Sequence, residues 1–187
     1  MKLISSKFDG VFLLENEIHR DSRGYFFEAF NRRDFKNLTG LDVDFIQDNQ
    51  SSSSYGVLRG LHFQKGSAAQ AKLIRVLRGR VLDVCVDLRA GSPTLGQWEA
   101  FELSESNLLQ LFLPRGFAHG FCVLSESADF LYKCDNYYDP SSEGTMDALD
   151  PDLGIDWRLD PQCLIRSDKD LRAPKFKDLD PSCFYEF

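Results

Sequence analysis

Short apolar stretches, broken by turn residues, dominate the middle of the chain and read as strands. Residues 72–77 lead through Arg78-Gly79 into residues 81–88, a spacing that predicts a β-hairpin. Further strands are expected over residues 98–103, 108–113, 120–124 and 128–134, with turn residues such as Gly91-Ser92-Pro93 and Ser104-Glu105-Ser106-Asn107 between them. Many short strands at regular spacing imply a sandwich or barrel. Helix signals are few. Residues 31–38 predict one short helix ending near Gly40. The Asp- and Pro-rich tail from Tyr138 onward predicts only short turns or helices. The serine run of residues 50–56 has a linker-like composition. It is short, however, and polar residues on both sides look like parts of one site, so a single domain over residues 1–187 is expected.

Alternation within the strands picks out polar side chains on apolar faces. Asp83, Cys85 and Asp87 share one face of their strand, and Leu82, Val84, Val86 and Leu88 share the other. Lys72 shares a face with Ile74 and Val76, and Tyr132 shares one with Phe130. Such a lysine and tyrosine can line a pocket inside a barrel. On the strand patterns alone, a strand-end lysine that reaches solvent and a core tyrosine with a satisfied hydroxyl are the better readings. Strict alternation puts Arg59 and His62 on opposite faces, and both reach one pocket only if the strand bends or bulges at Gly60.

Composition narrows the function classes. The formal net charge of −7 argues against a general nucleic-acid binder, so a phosphate site must be built locally from chosen Arg and Lys residues. No stretch approaches the length of a membrane span, and residues 1–7 lack the apolar core of a signal peptide. A cytoplasmic protein is expected. The five cysteines are odd in number and form no CxxC pair, which reads as free thiols rather than a zinc site.

Only three histidines are present, and two of them lie in glycine-framed segments. His62 is in Arg59-Gly60-Leu61-His62-Phe63-Gln64, and His119 is in Pro114-Arg115-Gly116-Phe117-Ala118-His119-Gly120-Phe121. Imidazole is the side chain whose ordinary pKa lies closest to neutrality, which makes both candidates for proton transfer or ligation. The Pro-x-Gly-x-x-His spacing resembles the second motif of the cupin superfamily of jelly-roll barrels. The first cupin motif normally has His-x-His and a downstream Glu. Here it reads His62-Phe63-Gln64, with no Glu in residues 65–71. Two histidines without a third strong ligand make a poor transition-metal site.

A more specific resemblance covers most of the chain. Its motifs are Asp21-Ser22-Arg23-Gly24-Tyr25-Phe26-Phe27-Glu28, Gln47-Asp48-Asn49-Gln50-Ser51 and the two histidine segments with Gly56-Val57-Leu58 ahead of the first. Gln70-Ala71-Lys72, Tyr132-Lys133, Tyr137-Tyr138, Asp150-Pro151, Ile155-Asp156-Trp157 and Lys169-Asp170 continue it. The chain resembles the dTDP-4-dehydrorhamnose 3,5-epimerase family. The resemblance implies an all-β, cupin-type jelly-roll barrel or sandwich with a few short helices. It implies acid–base inversion of C3 and C5 in a dTDP-linked 4-keto-6-deoxyhexose, with no metal and no other cofactor. By position, His62 would be the base, Asp170 its partner, Tyr132 the proton donor and Lys72 the stabiliser of the enolate. Arg23, Phe26, Glu28, Gln47, Asn49, Arg59, His119, Tyr138, Glu143 and Lys169 would bind substrate, with Arg23 and Arg59 on the pyrophosphate and Tyr138 stacked on thymine. The resemblance also implies a homodimer whose N-terminal segment crosses to the partner subunit. Ala148 departs from the pattern, because the family commonly carries an aromatic residue there, and an altered base preference would follow if that position bordered the nucleotide. Three other readings stay open on the residues: an epimerase acting at one carbon only, a metal-dependent cupin oxygenase, and a sugar-nucleotide binding module.

Overall fold

The computed structural model describes residues 1–4 and 6–186. The N-terminal part carries β1 (Lys2–Ile4), β2 (Phe12–Glu15), β3 (His19–Asp21), β4 (Gly24–Phe26) and helix α1 (Arg32–Thr39). The central part carries β5 (Gln47–Ser54), β6 (Leu58–Gln64), β7 (Lys72–Arg78), β8 (Arg80–Asp87), β9 (Arg89–Ala90) and β10 (Trp98–Ser104). Then follow β11 (Gln110–Leu113), β12 (Phe117–Val123), β13 (Ser127–Cys134), β14 (Glu143–Thr145), helix α2 (Asp168–Leu171) and β15 (Tyr185–Glu186). A six-stranded sheet in the order β1-β2-β11-β7-β13-β5 faces a five-stranded sheet in the order β10-β8-β12-β6-β14. This is the jelly-roll sandwich expected from the sequence.

The predicted hairpin over residues 72–88 does not form. β7 pairs with β11 and β13, whereas β8 pairs with β10 and β12, so Arg78-Gly79 is a corner between the two sheets. Gly79 makes the corner possible, since it sits at φ +78 and a Cβ there would lie 2.0 Å from the Ser127 carbonyl oxygen. The serine run, as its polar flanks suggested, is not a linker. It belongs to β5, which has no apolar residue and is held by pairing with β13 along its whole length. Its odd-numbered side chains are the better buried, which sets Gln47, Asn49, Ser51 and Ser53 on the inner face.

Three apolar clusters hold the fold together. Between the sheets lie Ile74, Val76, Val81, Cys85, Leu111, Phe121 and Phe130. The opposite face of β8 (Leu82, Val84, Val86) is covered by the tail through Met146, Ala148, Trp157 and Leu179, so this strand is buried on both sides. Ala148 is one of these tail residues and is 1% exposed. The third cluster seats α1 on the six-stranded sheet. Asn31 caps the helix by accepting from the Asp34 backbone N–H, and Gly40 ends it at φ +76. The helix buries Phe35 against Phe112, with ring centroids 5.1 Å apart. Cys85, Cys122 and Cys134 are buried and free, Cys183 is half-buried and Cys163 is exposed. No described helix is long and apolar enough to cross a membrane.

Phe112 is 1% exposed and also packs against the rings of Phe12 and Phe45. Phe112→Ala should cost about 3–5 kcal/mol of stability, read as a lower denaturation midpoint at unchanged m-value.

Candidate active site

The site begins where β6 meets β12. His62 lies opposite His119 in the ladder, but Arg59 lies opposite Phe121, so β6 spends three steps where β12 spends two. That extra residue is a bulge, and Gly60 occupies it at φ +126. A Cβ on Gly60 would fall 2.6 Å from the Gly120 Cα and 2.8 Å from the His119 carbonyl oxygen. Both glycines are thus needed for the two backbones to approach. The bulge is the bend that the sequence pattern required, and Arg59 and His62 line the same cavity of about 320 Å³.

His62 Nε2 lies 2.6 Å from Asp170 Oδ1. Asp170 comes from α2, far along the chain, and is 2% exposed. Burial acts to raise its pKa, but the hydrogen bond and charge of His62, with the Gly60 N–H, hold the carboxyl below the usual range. A carboxylate accepts, so Nε2 is the donor to Asp170, and Nδ1 is the nitrogen left to carry a lone pair in the neutral imidazole. That is the arrangement of an oriented base.

Lys72 and Tyr132 line the same cavity, with the lysine Nζ 5.6 Å from the tyrosine ring centroid. Desolvation pulls the Lys72 ammonium below its ordinary pKa. The same effect pushes the Tyr132 phenol up to about 12, so it is protonated at neutral pH. His119 places Nε2 at 2.9 and 3.0 Å from the two carboxylate oxygens of Asp83. Burial lowers the imidazole pKa and raises that of the carboxyl, which drives this pair toward its neutral form.

The remaining candidates fall into two groups. Asn49, Arg59, Tyr138 and Glu143 also line the cavity. Arg59 Nε donates to Ser53 Oγ, the Tyr138 hydroxyl donates to Glu143, and Lys169 pairs with Glu143 at 2.5 Å. Gln47 stands just behind, accepting from the Tyr138 N–H and donating to Asn49. Arg23, Phe26 and Glu28 are not brought to the cavity. They sit exposed on or just after the β3–β4 hairpin, where Arg23 pairs with Asp21 and Phe26 is 70% exposed. Sequence reasoning missed Asp83 and Ser53 as partners of His119 and Arg59. Asp83 did carry a signal, as a carboxylate sharing the inward face of its strand with Cys85.

An oriented imidazole, a protonated phenol and an ammonium around one cavity suit proton removal next to a carbonyl, with the negative charge stabilised on oxygen. The family model described as dTDP-4-dehydrorhamnose 3,5-epimerase matches residues 5–178. The chain belongs to this family. It is 50% identical over 174 residues to the dTDP-4-dehydrorhamnose 3,5-epimerase of Salmonella typhimurium, covering 93% of this chain and 94% of that one. The crystal structure of the family member from Elizabethkingia anophelis has 54% identity and a TM-score of 0.92, covering 95% of this chain and 97% of its own. The dTDP-6-deoxy-D-glucose-3,5-epimerase of Legionella pneumophila, solved in complex with dTDP-4-keto-L-rhamnose, has 45% identity and a TM-score of 0.95, covering 100% of this chain and 98% of its own.

Within this epimerase fold Gly60→Ala should be among the least tolerated changes, because both contacts are with backbone. A cost of at least about 1–3 kcal/mol is expected from the positive φ alone, seen as a lower melting temperature.

Proposed function

We propose that this cavity inverts C3 and C5 of dTDP-4-dehydro-6-deoxy-D-glucose, giving dTDP-4-dehydro-L-rhamnose. The observation that carries this reading is the His62–Asp170 pair sharing one cavity with Lys72 and Tyr132. C3 and C5 both flank the C4 ketone, so loss of either proton leaves an enolate on the C4 oxygen. His62 takes the proton from carbon, and Asp170 stabilises the imidazolium that results. Lys72 balances the charge on the enolate oxygen. Tyr132 then gives its proton to the opposite face of the carbon and recovers one from solvent, while His62 releases the carbon-derived proton to solvent, so both groups are reset before the second carbon is inverted. No electron is exchanged, so no oxidant or reductant is needed.

Arg59 suits the diphosphate, since its guanidinium forks onto phosphate oxygens and Ser53 holds it in place. Tyr138 offers a ring for the thymine, and Glu143 with Lys169 braces it. His119, with Asn49 and Gln47, completes the polar wall against the sugar and nucleotide. The working unit is a homodimer in which the β3–β4 hairpin delivers Arg23, Phe26 and Glu28 to the partner's cavity. A charged nucleotide sugar does not cross a bilayer unaided, which fits a cytoplasmic enzyme.

Turnover of dTDP-4-keto-6-deoxyglucose in deuterated water tests the reaction. Deuterium at both C3 and C5 by NMR is expected. Label at one carbon would leave a single-site epimerase, and no label at either would end the reading. His62→Ala should lower exchange by about 10²–10⁴-fold. Tyr132→Phe should slow inversion more than exchange.

The pH profile separates Lys72 from Tyr132. A lysine with a lowered pKa loses its charge on alkalinisation before an exposed one would, at about 10.4. Tyr132 holds its proton to about 12. The alkaline limb of kcat/KM therefore belongs to Lys72. It should stay in place in Tyr132→Phe and move up in Lys72→Arg; movement in the tyrosine variant instead would reverse the assignment.

A further inference from the structure

Asp170 sits on a single helical turn, and a turn of four residues has little stability of its own. Something outside the turn must fix the direction of its carboxylate. The Ser167 side chain caps the start of the turn. The turn's far side is held by Arg166, whose Nη2 donates to the Asp170 backbone carbonyl and to Asp147 Oδ1, each at 2.6 Å. Asp147 in turn donates its backbone N–H to the Pro174 carbonyl at 2.8 Å. One residue following β14 thus grips the Asp170 turn from both flanks, and the Arg166 side chain is the link on the catalytic side.

Arg166 is an unusual residue to spend on packing alone. Its side chain is 8% exposed, and its Nε is buried with no partner. The guanidinium leaves that donor unsatisfied while meeting the Asp170 carbonyl and Asp147. A second tether lies just ahead of it, where Ile165 exchanges backbone hydrogen bonds with Gly56 and Leu58 at the start of β6. The tail is therefore already attached to the sheet without Arg166. What the arginine adds is the orientation of the turn that carries Asp170.

We propose that Arg166 is a positioning residue that acts through Asp170 to fix the tautomer and direction of the His62 imidazole. This rests on the reading of His62 as the base. Arg166 touches neither His62 nor, by the lining of the cavity, the substrate.

The test is ¹⁵N NMR of the histidine rings alongside turnover, in Arg166→Met and Arg166→Lys. The native His62 should give the pattern of a single Nε2–H tautomer. In Arg166→Met it should become a tautomer mixture, with kcat down about 10- to 100-fold and KM changed far less, as a small misplacement of a catalytic group predicts. Arg166→Lys keeps a cationic donor without the planar fork and should recover most of both signals. If Arg166→Met fails to fold, Arg166→Met with Asp147→Asn removes the unpaired carboxylate and serves in its place. An unchanged His62 spectrum, or a fall confined to KM, overturns the proposal; so does loss of the fold in both variants, which would make Arg166 a folding residue. The NMR readout does not depend on turnover, so a failure of the epimerase reading is told apart by the absence of exchange in the native protein.

Discussion

The close approach of β6 to β12 is the constraint on which the site depends. Gly60 and Gly120 face each other where any side chain would meet backbone. The bulge there rotates β6 by one residue, so that Arg59 and His62 open on the same cavity. Without it, strict alternation would send one of the two to the opposite face. The same glycine also supplies a backbone N–H to the Asp170 carboxylate, so the bulge shapes the strand and helps hold the partner of His62. Strand geometry and proton chemistry are set by one backbone position.

Electrostatics in the cavity follow from burial more than from net charge. The protein is acidic overall, yet the imidazoles and carboxylates of the cavity are paired with specific neighbours. His62 has Asp170, His119 has Asp83, and Glu143 has Lys169 with the Tyr138 hydroxyl. The two imidazole–carboxylate pairs are not equivalent. The His62 side chain is 34% exposed and opens on the cavity, and the pKa of its carboxyl partner is held below the usual range. The His119 side chain is 7% exposed and its pair is driven toward neutrality, which favours hydrogen bonding over proton uptake. Two histidines alike in their glycine-rich settings are separated by solvent access.

Much of the fold was legible because apolar periodicity and turn residues are local signals. The strands over β7, β8, β10, β12 and β13, and helix α1 with its Asn31 and Gly40 ends, follow from them. The false hairpin came from the same signals. Arg78-Gly79 announces a turn but not which sheet receives the next strand, and that choice is made by distant partners. β5 was missed because its stability comes from the ladder to β13 and not from its own polar side chains. Asp170 could not be found by any local rule, since it lies 108 residues from His62 on a one-turn helix. Its role was readable only through the family pattern, whereas Lys72 and Tyr132 were visible as polar positions on apolar faces. Arg166 carried no signal at all, because its meaning lies in a contact with a backbone carbonyl.

The placement of charge gives a physical reason to read the working unit as more than one chain. A dTDP-linked sugar brings a diphosphate, and the cavity wall offers two long cationic side chains, Arg59 and Lys72. Lys72 is committed in the proposed reaction to the enolate oxygen, which would leave Arg59 alone to meet two phosphates. Meanwhile Arg23 stands on an exposed hairpin beside Phe26, a large aromatic surface facing solvent. A monomer pays twice for that arrangement, with an undercharged phosphate site and an uncovered apolar edge. In the proposed homodimer, delivery of the hairpin to a second copy would remove both costs at once, since Arg23 would add a cation and Phe26 would gain a surface to pack on. The Asp21 carboxylate that pairs with Arg23 is itself exposed, so exchanging it for phosphate oxygens carries little penalty.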